Sequence, residues 1–268
     1  MIKLIITDLD GTFLNRQGSF DQALFHKTKA LMDEKNVAFA PCTGKQCERV
    51  EALFGEHAKD FWILGDSATR IKKNGQFVYE SLIKNELGLA LIEKLGEVSK
   101  EQTIIACTKE GAFVHEHVSE SEMRFVTGSY AHVTKVSNFQ DIHDDFVKIT
   151  VHDPEANCVQ TKEKLKEFFE QVYIVASEDT WIDISNIGVH KGTTVKQLQN
   201  MLGVTEEETM VFGDGRNDLE LMAAAQYSFA VRNATQEVKD AAHFITLSNE
   251  ESGVMHTIQK ILSLQTSS

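Results

Sequence analysis

Near its N-terminus the chain reads Lys3-Leu4-Ile5-Ile6-Thr7-Asp8-Leu9-Asp10-Gly11-Thr12. Lys3 to Thr7 is a short apolar run rich in Ile, and it stops at an acidic turn containing glycine. That pattern reads as a buried strand followed by a tight turn. Asp8 and Asp10 then stand two residues apart at the carboxyl end of the strand, where ligands bind in α/β sheets. Burying two carboxylates together is costly unless a cation compensates, so the pair predicts a metal. The plainer alternative is an acidic turn with Asp10 as a helix cap, and the buried strand before it weighs against that.

Working outward, Asp21 to Lys35 has helical spacing, Val37 to Pro41 reads as a second buried strand, Gln46 to Phe54 as a helix and Phe61 to Leu64 as a third strand. Strands alternating with helices imply a parallel, doubly wound sheet. The rhythm then changes. Arg70 to Glu80 holds Asn74-Gly75 between β-prone arms, a hairpin signal. Asn85 to Lys100 and Thr161 to Glu170 read as helices. Thr103–Cys107, Ala112–His115, Phe146–Val151, Val172–Ala176 and Trp181–Ser185 read as strands. From Lys191 the alternation resumes: helices at Thr193–Leu202, Asp218–Ala225, Gln236–Ala241 and Gly253–Leu264, and strands at Thr209–Phe212, Tyr227–Val231 and His243–Thr246. Only the tail Gln265–Ser268 is low in complexity. The expected fold is α/β: a doubly wound parallel core from residues 1–80 and 188–268, with an α+β cap, 81–187, inserted.

Composition sets limits. The chain has 268 residues, 42% hydrophobic and 25% charged, close to ordinary soluble usage, which excludes disorder as the main state. Its formal charge is −13, with no basic footprint for nucleic acid. No apolar run approaches the roughly 18 residues of a membrane span, and the opening run is too short for a signal peptide. Cys42, Cys47, Cys107 and Cys158 show no CxxC spacing and read as free thiols in a reducing cytoplasm.

Three more stretches carry chemistry. Thr43-Gly44-Lys45 follows the second strand, offering a hydroxyl and flexible amides at an expected helix start, an anion cradle. His190-Lys191-Gly192 stands where the chain returns from the insertion; taken alone, Lys191 is an ordinary solvated charge. Gly213-Asp214-Gly215-Arg216-Asn217-Asp218 again puts carboxylates at a strand end between glycines.

In this fixed order, Asp-x-Asp-Gly-Thr, Thr-Gly, Lys-Gly and Gly-Asp-Gly-x-Asn-Asp resemble the haloacid dehalogenase superfamily. The insertion, together with Tyr227–Ala234, Glu237-Val238-Lys239 and Glu251–Val254, resembles its Cof-type, type IIB-capped phosphatase branch. The resemblance implies Asp8 as nucleophile and Asp10 as general acid/base. It implies Mg²⁺ held by Asp8, Asp214 and the Asp10 backbone carbonyl. It also implies phosphate contacts from Thr43, Gly44, Lys191, Asn217 and the Leu9 amide. Asp218 is expected to support the metal site from behind. Lys191 and the metal would cancel repulsion between a phosphate dianion and the Asp8 carboxylate.

Two departures bear on specificity. The second motif commonly ends in Arg, and Lys45 lacks that fork. Where the branch usually has Asn-Gly-Ala, this chain has Gly65-Asp66-Ser67-Ala68. The expectation is that Asp66 lies in a substrate loop and disfavours leaving groups bearing a carboxylate. The leading reading is a cytoplasmic, Mg²⁺-dependent phosphatase acting on a small phosphate ester, a sugar phosphate foremost. The alternatives are a mannosyl-phosphoglycerate phosphatase-like enzyme, a phosphomutase of the same fold, and a non-catalytic phosphometabolite sensor. Neither nucleic acid nor membrane is an expected partner, and the sequence leaves oligomeric state open.

Overall fold

The structure, a computed structural model, describes residues 1–98 and 101–265. The last two residues of the helix expected over 85–100, and residues 266–268 of the polar tail, lie outside the described residues. Strand β1 (Leu4–Thr7) is buried along its whole length. Helix α1 (Gln22–Glu34) begins where the Asp21 carboxylate accepts the Leu24 N–H, satisfying a donor that the first helical turn leaves open. Strand β2 (Ala38–Pro41) pairs parallel to β1, and α2 (Cys47–Phe54) follows.

Strands β3 (Trp62–Gly65), β4 (Arg70–Lys73) and β5 (Gln76–Glu80) form an antiparallel sheet. The expected hairpin is present, with Asn74 and Gly75 both at positive φ (52° and 75°), as this two-residue turn requires. The third strand corrects the expectation. β3 packs beside β2 in the same apolar core, but among the described residues its bonding to the parallel sheet is limited to the parallel Cys42–Leu64 bridge and the Thr43 N–H bond to the Leu64 carbonyl. A left-handed turn at 66–68 folds the chain straight back onto β4, closing a much shorter loop.

The insertion contains α3 (Asn85–Val98), β6 (Thr103–Thr108), β7 (Gly111–His115), α4 (Glu120–Ser129), β8 (Val133–Val136), β9 (Lys148–His152), α5 (Cys158–Glu163), β10 (Val172–Glu178) and β11 (Trp181–Asn186). Its sheet runs β10-β11-β9-β6-β7-β8, antiparallel except between β7 and β8. Alternation along β6 sends Ile105 and Cys107 into one apolar cluster with Val126 of α4, and Ala106 into another with Leu91 and Leu95 of α3. The single helix expected over 161–170 is instead α5 and a tight turn at Lys166–Phe168. Bonds between residues three apart tighten the chain there, and Leu165 is buried. Helix α4 and strand β8 were not anticipated. Ser119 and Glu122 spell a helix start for α4, and the Ser119 hydroxyl does accept the Glu122 N–H.

The chain then returns to the first sheet through α6 (Lys191–Leu202), β12 (Thr209–Gly213), α7 (Leu219–Met222), β13 (Tyr227–Ala230), α8 (Gln236–Ala241), β14 (Phe244–Ile245) and α9 (Gly253–Ser263). The parallel strand order is β14-β13-β12-β1-β2. From β1 the chain runs first toward β2 and later toward β12, so the topology switches direction between β1 and β12. Below the loop after β1, Phe13 packs on Phe20, Phe25, Phe39 and Phe54 at ring separations of 5.3–6.0 Å. Each such pair adds about 0.5–1.5 kcal/mol beyond area burial, which anchors the loop carrying Asp8 and Asp10.

Candidate active site

Asp8 follows β1 and Asp214 follows β12, so two strand ends at the switch point present carboxylates to one cleft. Gly11 takes φ +76°, and a Cβ there would lie 2.4 Å from Asp214 Oδ2. Only glycine lets this loop turn and lets the Asp214 carboxylate sit against it. Asn233 donates to the Gly11 carbonyl at 2.7 Å and Thr12 Oγ1 to Asp214 Oδ1 at 2.6 Å. Thr12 and Asn233 lie in stretches singled out in the sequence, but these roles are not readable there, because contacts spanning about 200 residues leave no local pattern.

Lys191, at the first position of α6, is buried and donates to Asp8 Oδ1 at 2.7 Å and Asp218 Oδ1 at 2.6 Å. The other Asp218 oxygen accepts the backbone N–H groups of Asp214 and Gly215. Asp218 therefore shapes the loop that presents Asp214. This also explains why the helix expected over 218–225 shrinks to the single turn of α7: its first residue bonds backward into the loop. Asp10 is more exposed and pairs with Lys45 at 2.9 Å. At the departed position, then, a single ammonium contact is made to Asp10.

Thr43, Gly44 and Asn217 line the same cleft, while the Leu9 side chain is in the core below it. Thr43-Gly44-Lys45 lies just before a helix, as expected. Helix α2 begins at Cys47 with Gln46 as its cap, so the three residues form a separate loop. That loop is held by Thr43 N–H to the Leu64 carbonyl and by Asp66 N–H to the Lys45 carbonyl.

Three carboxylates against one ammonium leave a charge imbalance. Burial pushes the Asp8 carboxyl well up; Lys191 pulls it back, while Asp218 and Asp214 push it further up. Burial, then Asp218, lifts Asp214 to about 7 against the pull of the Thr12 hydroxyl. Burial opposes the charge on Lys191, but Asp218 and Asp8 outweigh it and raise its pKa well above the usual range. Oxygens of Asp8, Asp214 and Asp218 all lie within 4.8 Å of one another. This hard-oxygen donor set with excess negative charge fits a divalent cation.

The insertion covers the strand ends and closes a cleft of about 770 Å³. Its side of the cleft includes Tyr130, Lys148, Thr150, Ser177, Glu178, Trp181 and Asp183. Arg49 donates to the carbonyls of Thr127 and Tyr130, Ala131 N–H to Gln46 Oε1, and Arg216 to Asp179, joining the two layers. Burial and then Asp10 and Asp183 push the Glu178 carboxyl up. Burial opposes ionisation of Asp183, yet Lys148 and three hydroxyl donors hold its carboxyl below the usual range.

Asp66 corrects the expectation of a substrate-loop carboxylate. It is fully buried and accepts from Arg70 Nε at 2.9 Å and Nη2 at 2.7 Å, away from the cleft lining. A short carboxylate in a left-handed turn reaches the guanidinium of β4 rather than the cleft. Asp66→Asn is expected to lower stability by about 3–5 kcal/mol in urea titration, because Arg70 is left buried without its counter-charge. The ratio of kcat/KM for neutral and acidic phosphate esters should stay at the wild-type value. A changed ratio would return Asp66 to the substrate.

Among known proteins, the family described as haloacid dehalogenase-like hydrolase matches residues 5–258. The chain is 30% identical to the 5-amino-6-(5-phospho-D-ribitylamino)uracil phosphatase YbjI of Escherichia coli, over 97% of this chain and 96% of that protein. The solved structure of SMU.1108c from Streptococcus mutans superimposes with a TM-score of 0.93 at 28% identity, over 98% and 100% of the two chains. The subclass IIB sugar phosphatase BT4131 shares the fold, with a TM-score of 0.82 at 19% identity over 97% and 98%. The chain belongs to the haloacid dehalogenase-like hydrolases and is a phosphatase.

Proposed function

We propose that this phosphatase is a divalent-metal-dependent enzyme that hydrolyses a small phosphorylated metabolite through a phosphoaspartate at Asp8. The observation that carries the reading is Asp8 itself: a carboxylate at a strand end, bonded to Lys191, in an acidic cluster facing a covered cleft. Asp8 attacks phosphorus, forming an O–P bond as the ester O–P bond breaks, and Asp10 protonates the departing alkoxide. Asp10 then takes a proton from the attacking water, which releases phosphate and restores Asp8. Lys191 cancels part of the repulsion between nucleophile and phosphate, and Thr43, Gly44, Asn217 and the Leu9 amide hold the phosphoryl oxygens. Mg²⁺, when bound by Asp8, Asp214 and the Asp10 carbonyl, supplies the remaining neutralisation. Residues 81–187 serve as the cap, and the free cysteines suit a cytoplasmic enzyme.

The leaving group is neutral or basic, with sugar and polyol phosphates foremost. Among the described residues Asp8, Asp10, Glu178, Asp179, Asp183 and Asp214 line the cleft with Lys45, Lys148 and Arg216, and Lys191 stands behind Asp8, so acids outnumber cations. An added carboxylate about 4 Å from one of these acids would cost roughly 1–4 kcal/mol at effective dielectrics between water and a protein surface. This counts against a glycerate ester. The substrate for which the Escherichia coli relative is named carries a ribityl chain and a uracil ring. Trp181, half-buried on the cleft and packed on His152 at 4.5 Å between ring centroids, is an aromatic side chain on the lining with which such a ring could make contact. Phosphate release should be measured on p-nitrophenyl phosphate, hexose and pentitol phosphates, the ribitylaminouracil phosphate and a phosphoglycerate ester. Turnover of the neutral esters well above the glycerate ester is expected. A preference for the glycerate ester would overturn the assignment of substrate class, and no turnover of any ester would overturn the enzyme.

A further inference from the structure

Asp66, Ser67 and Ala68 all have positive φ, 55°, 59° and 65°, and none is glycine. Side chains resist this region, and such strain persists where the surroundings hold it. All three have anchors in the core. Asp66 binds Arg70, and the Ala68 carbonyl accepts from Thr194 Oγ1 at 2.7 Å. Ser67 donates its backbone N–H to the Thr43 carbonyl at 3.0 Å, and its side chain is anchored across the cleft. Its hydroxyl donates to Asp183 Oδ1 of the cap at 2.7 Å and accepts from Lys148 Nζ at 3.1 Å.

Lys148 is only 2% exposed and reaches from β9 to the opposite side of the cleft. It donates to the Gly44 carbonyl at 2.9 Å and lies 3.4 Å from Asp183 Oδ1. Asp183 is fixed in turn by Thr150 and Ser177 hydroxyls, each at 3.1 Å. The peptide that Lys148 grips joins Gly44 to Lys45, and the N–H of that peptide donates to Thr43 Oγ1 at 3.2 Å. Glycine has no side chain to restrict its dihedrals. Core backbone bonds hold the residues on either side, Ser67 N–H to the Thr43 carbonyl and Asp66 N–H to the Lys45 carbonyl, while the group that holds the Gly44 carbonyl between them belongs to the cap.

We propose that Lys148, held by Ser67 and Asp183, is a positioning residue that couples cap closure to phosphate binding. With the cap seated, Lys148 sets the Gly44–Lys45 peptide and so aims the Thr43-Gly44 donors at the phosphoryl group. With the cap lifted, that peptide is released. The proposal rests on the phosphatase reading of this loop. It differs from direct recognition of the leaving group in one respect: its effect must extend to a ligand with no leaving group at all.

The test uses p-nitrophenyl phosphate as substrate and inorganic phosphate as competitive inhibitor. Lys148→Met should raise both KM and the phosphate inhibition constant about tenfold or more, with a smaller change in kcat, since ångström-scale misplacement alone can cost about 10²-fold. Lys148→Met combined with Asp183→Asn removes both charges together, so the same shift in a variant that melts like the wild type separates positioning from folding. Ser67→Gly relieves the left-handed strain and should melt no lower than wild type, yet weaken phosphate inhibition several-fold. Unchanged phosphate inhibition in the double variant, or a loss confined to bulky substrates, would overturn the positioning role. Failure of the wild type to turn over p-nitrophenyl phosphate, or full activity in Asp8→Asn, would instead overturn the phosphatase reading and this inference with it.

Discussion

Asp8→Asn is expected to reduce phosphate release by roughly 10³-fold or more while leaving the protein folded. The amide matches the carboxylate in shape but has neither a nucleophilic oxygen nor the charge that a divalent ion needs. The expected stability effect has the opposite sign. In the metal-free fold, burial and the charges of Asp218 and Asp214 make an ionised Asp8 unfavourable, and Lys191 only partly offsets this. Removing that charge leaves Lys191 paired with Asp218 and relieves repulsion within the cluster. The melting temperature of the metal-free variant should therefore equal or exceed that of the wild type, a trade of stability against function common at active sites. Steady-state assay and thermal melting of the chelated proteins provide the check. Activity above a few per cent of wild type would remove Asp8 as nucleophile, and a collapse of the melting temperature would make its role structural.

Exhaustive chelation should abolish turnover, with Mg²⁺ restoring it and Ca²⁺ doing so poorly, because the smaller ion demands tighter octahedral geometry. The pH dependence carries a sign that can be worked out. The Asp214 carboxyl moves from an ordinary 3.8 to about 7 in the folded, metal-free chain. Between those values the unfolded chain has lost the proton and the folded chain still holds it. This group thus makes the metal-free protein less stable as pH rises from about 4 to about 7. A divalent cation competes with that proton, so Mg²⁺ should raise the melting temperature more at pH 8 than at pH 5. An equal shift at both values, or full activity after chelation, would exclude Asp214 from the metal site.

Much of the core was legible from local pattern. The run Leu4–Thr7 and the acidic turn after it announced a buried strand with a site at its end, since length, Ile content and glycine placement are local properties. The Asn74-Gly75 hairpin was readable for the same reason. Helix α4 had a legible start at Ser119, but Val126 is its only buried residue, so no broad apolar face marks it.

By itself the sequence determined the α/β alternation, the inserted cap, and the four motifs containing Asp8, Thr43, Lys191 and Asp214. Each of these is written in residues adjacent along the chain. Only the tertiary structure decided how those motifs meet and what surrounds them. It turned Asp66 away from the substrate and into a pair with Arg70, because the direction of a side chain in a left-handed turn depends on the partner that packing supplies. It brought Thr12 to Asp214 and Lys148 to Gly44 across more than 100 residues of chain, the first contact made once β1 pairs with β12 and the second once the sheet of the insertion closes over the parallel sheet. It also set the charge balance of the site, because the ionisation of Asp8 and Asp214 is governed by burial and by neighbours that folding places beside them.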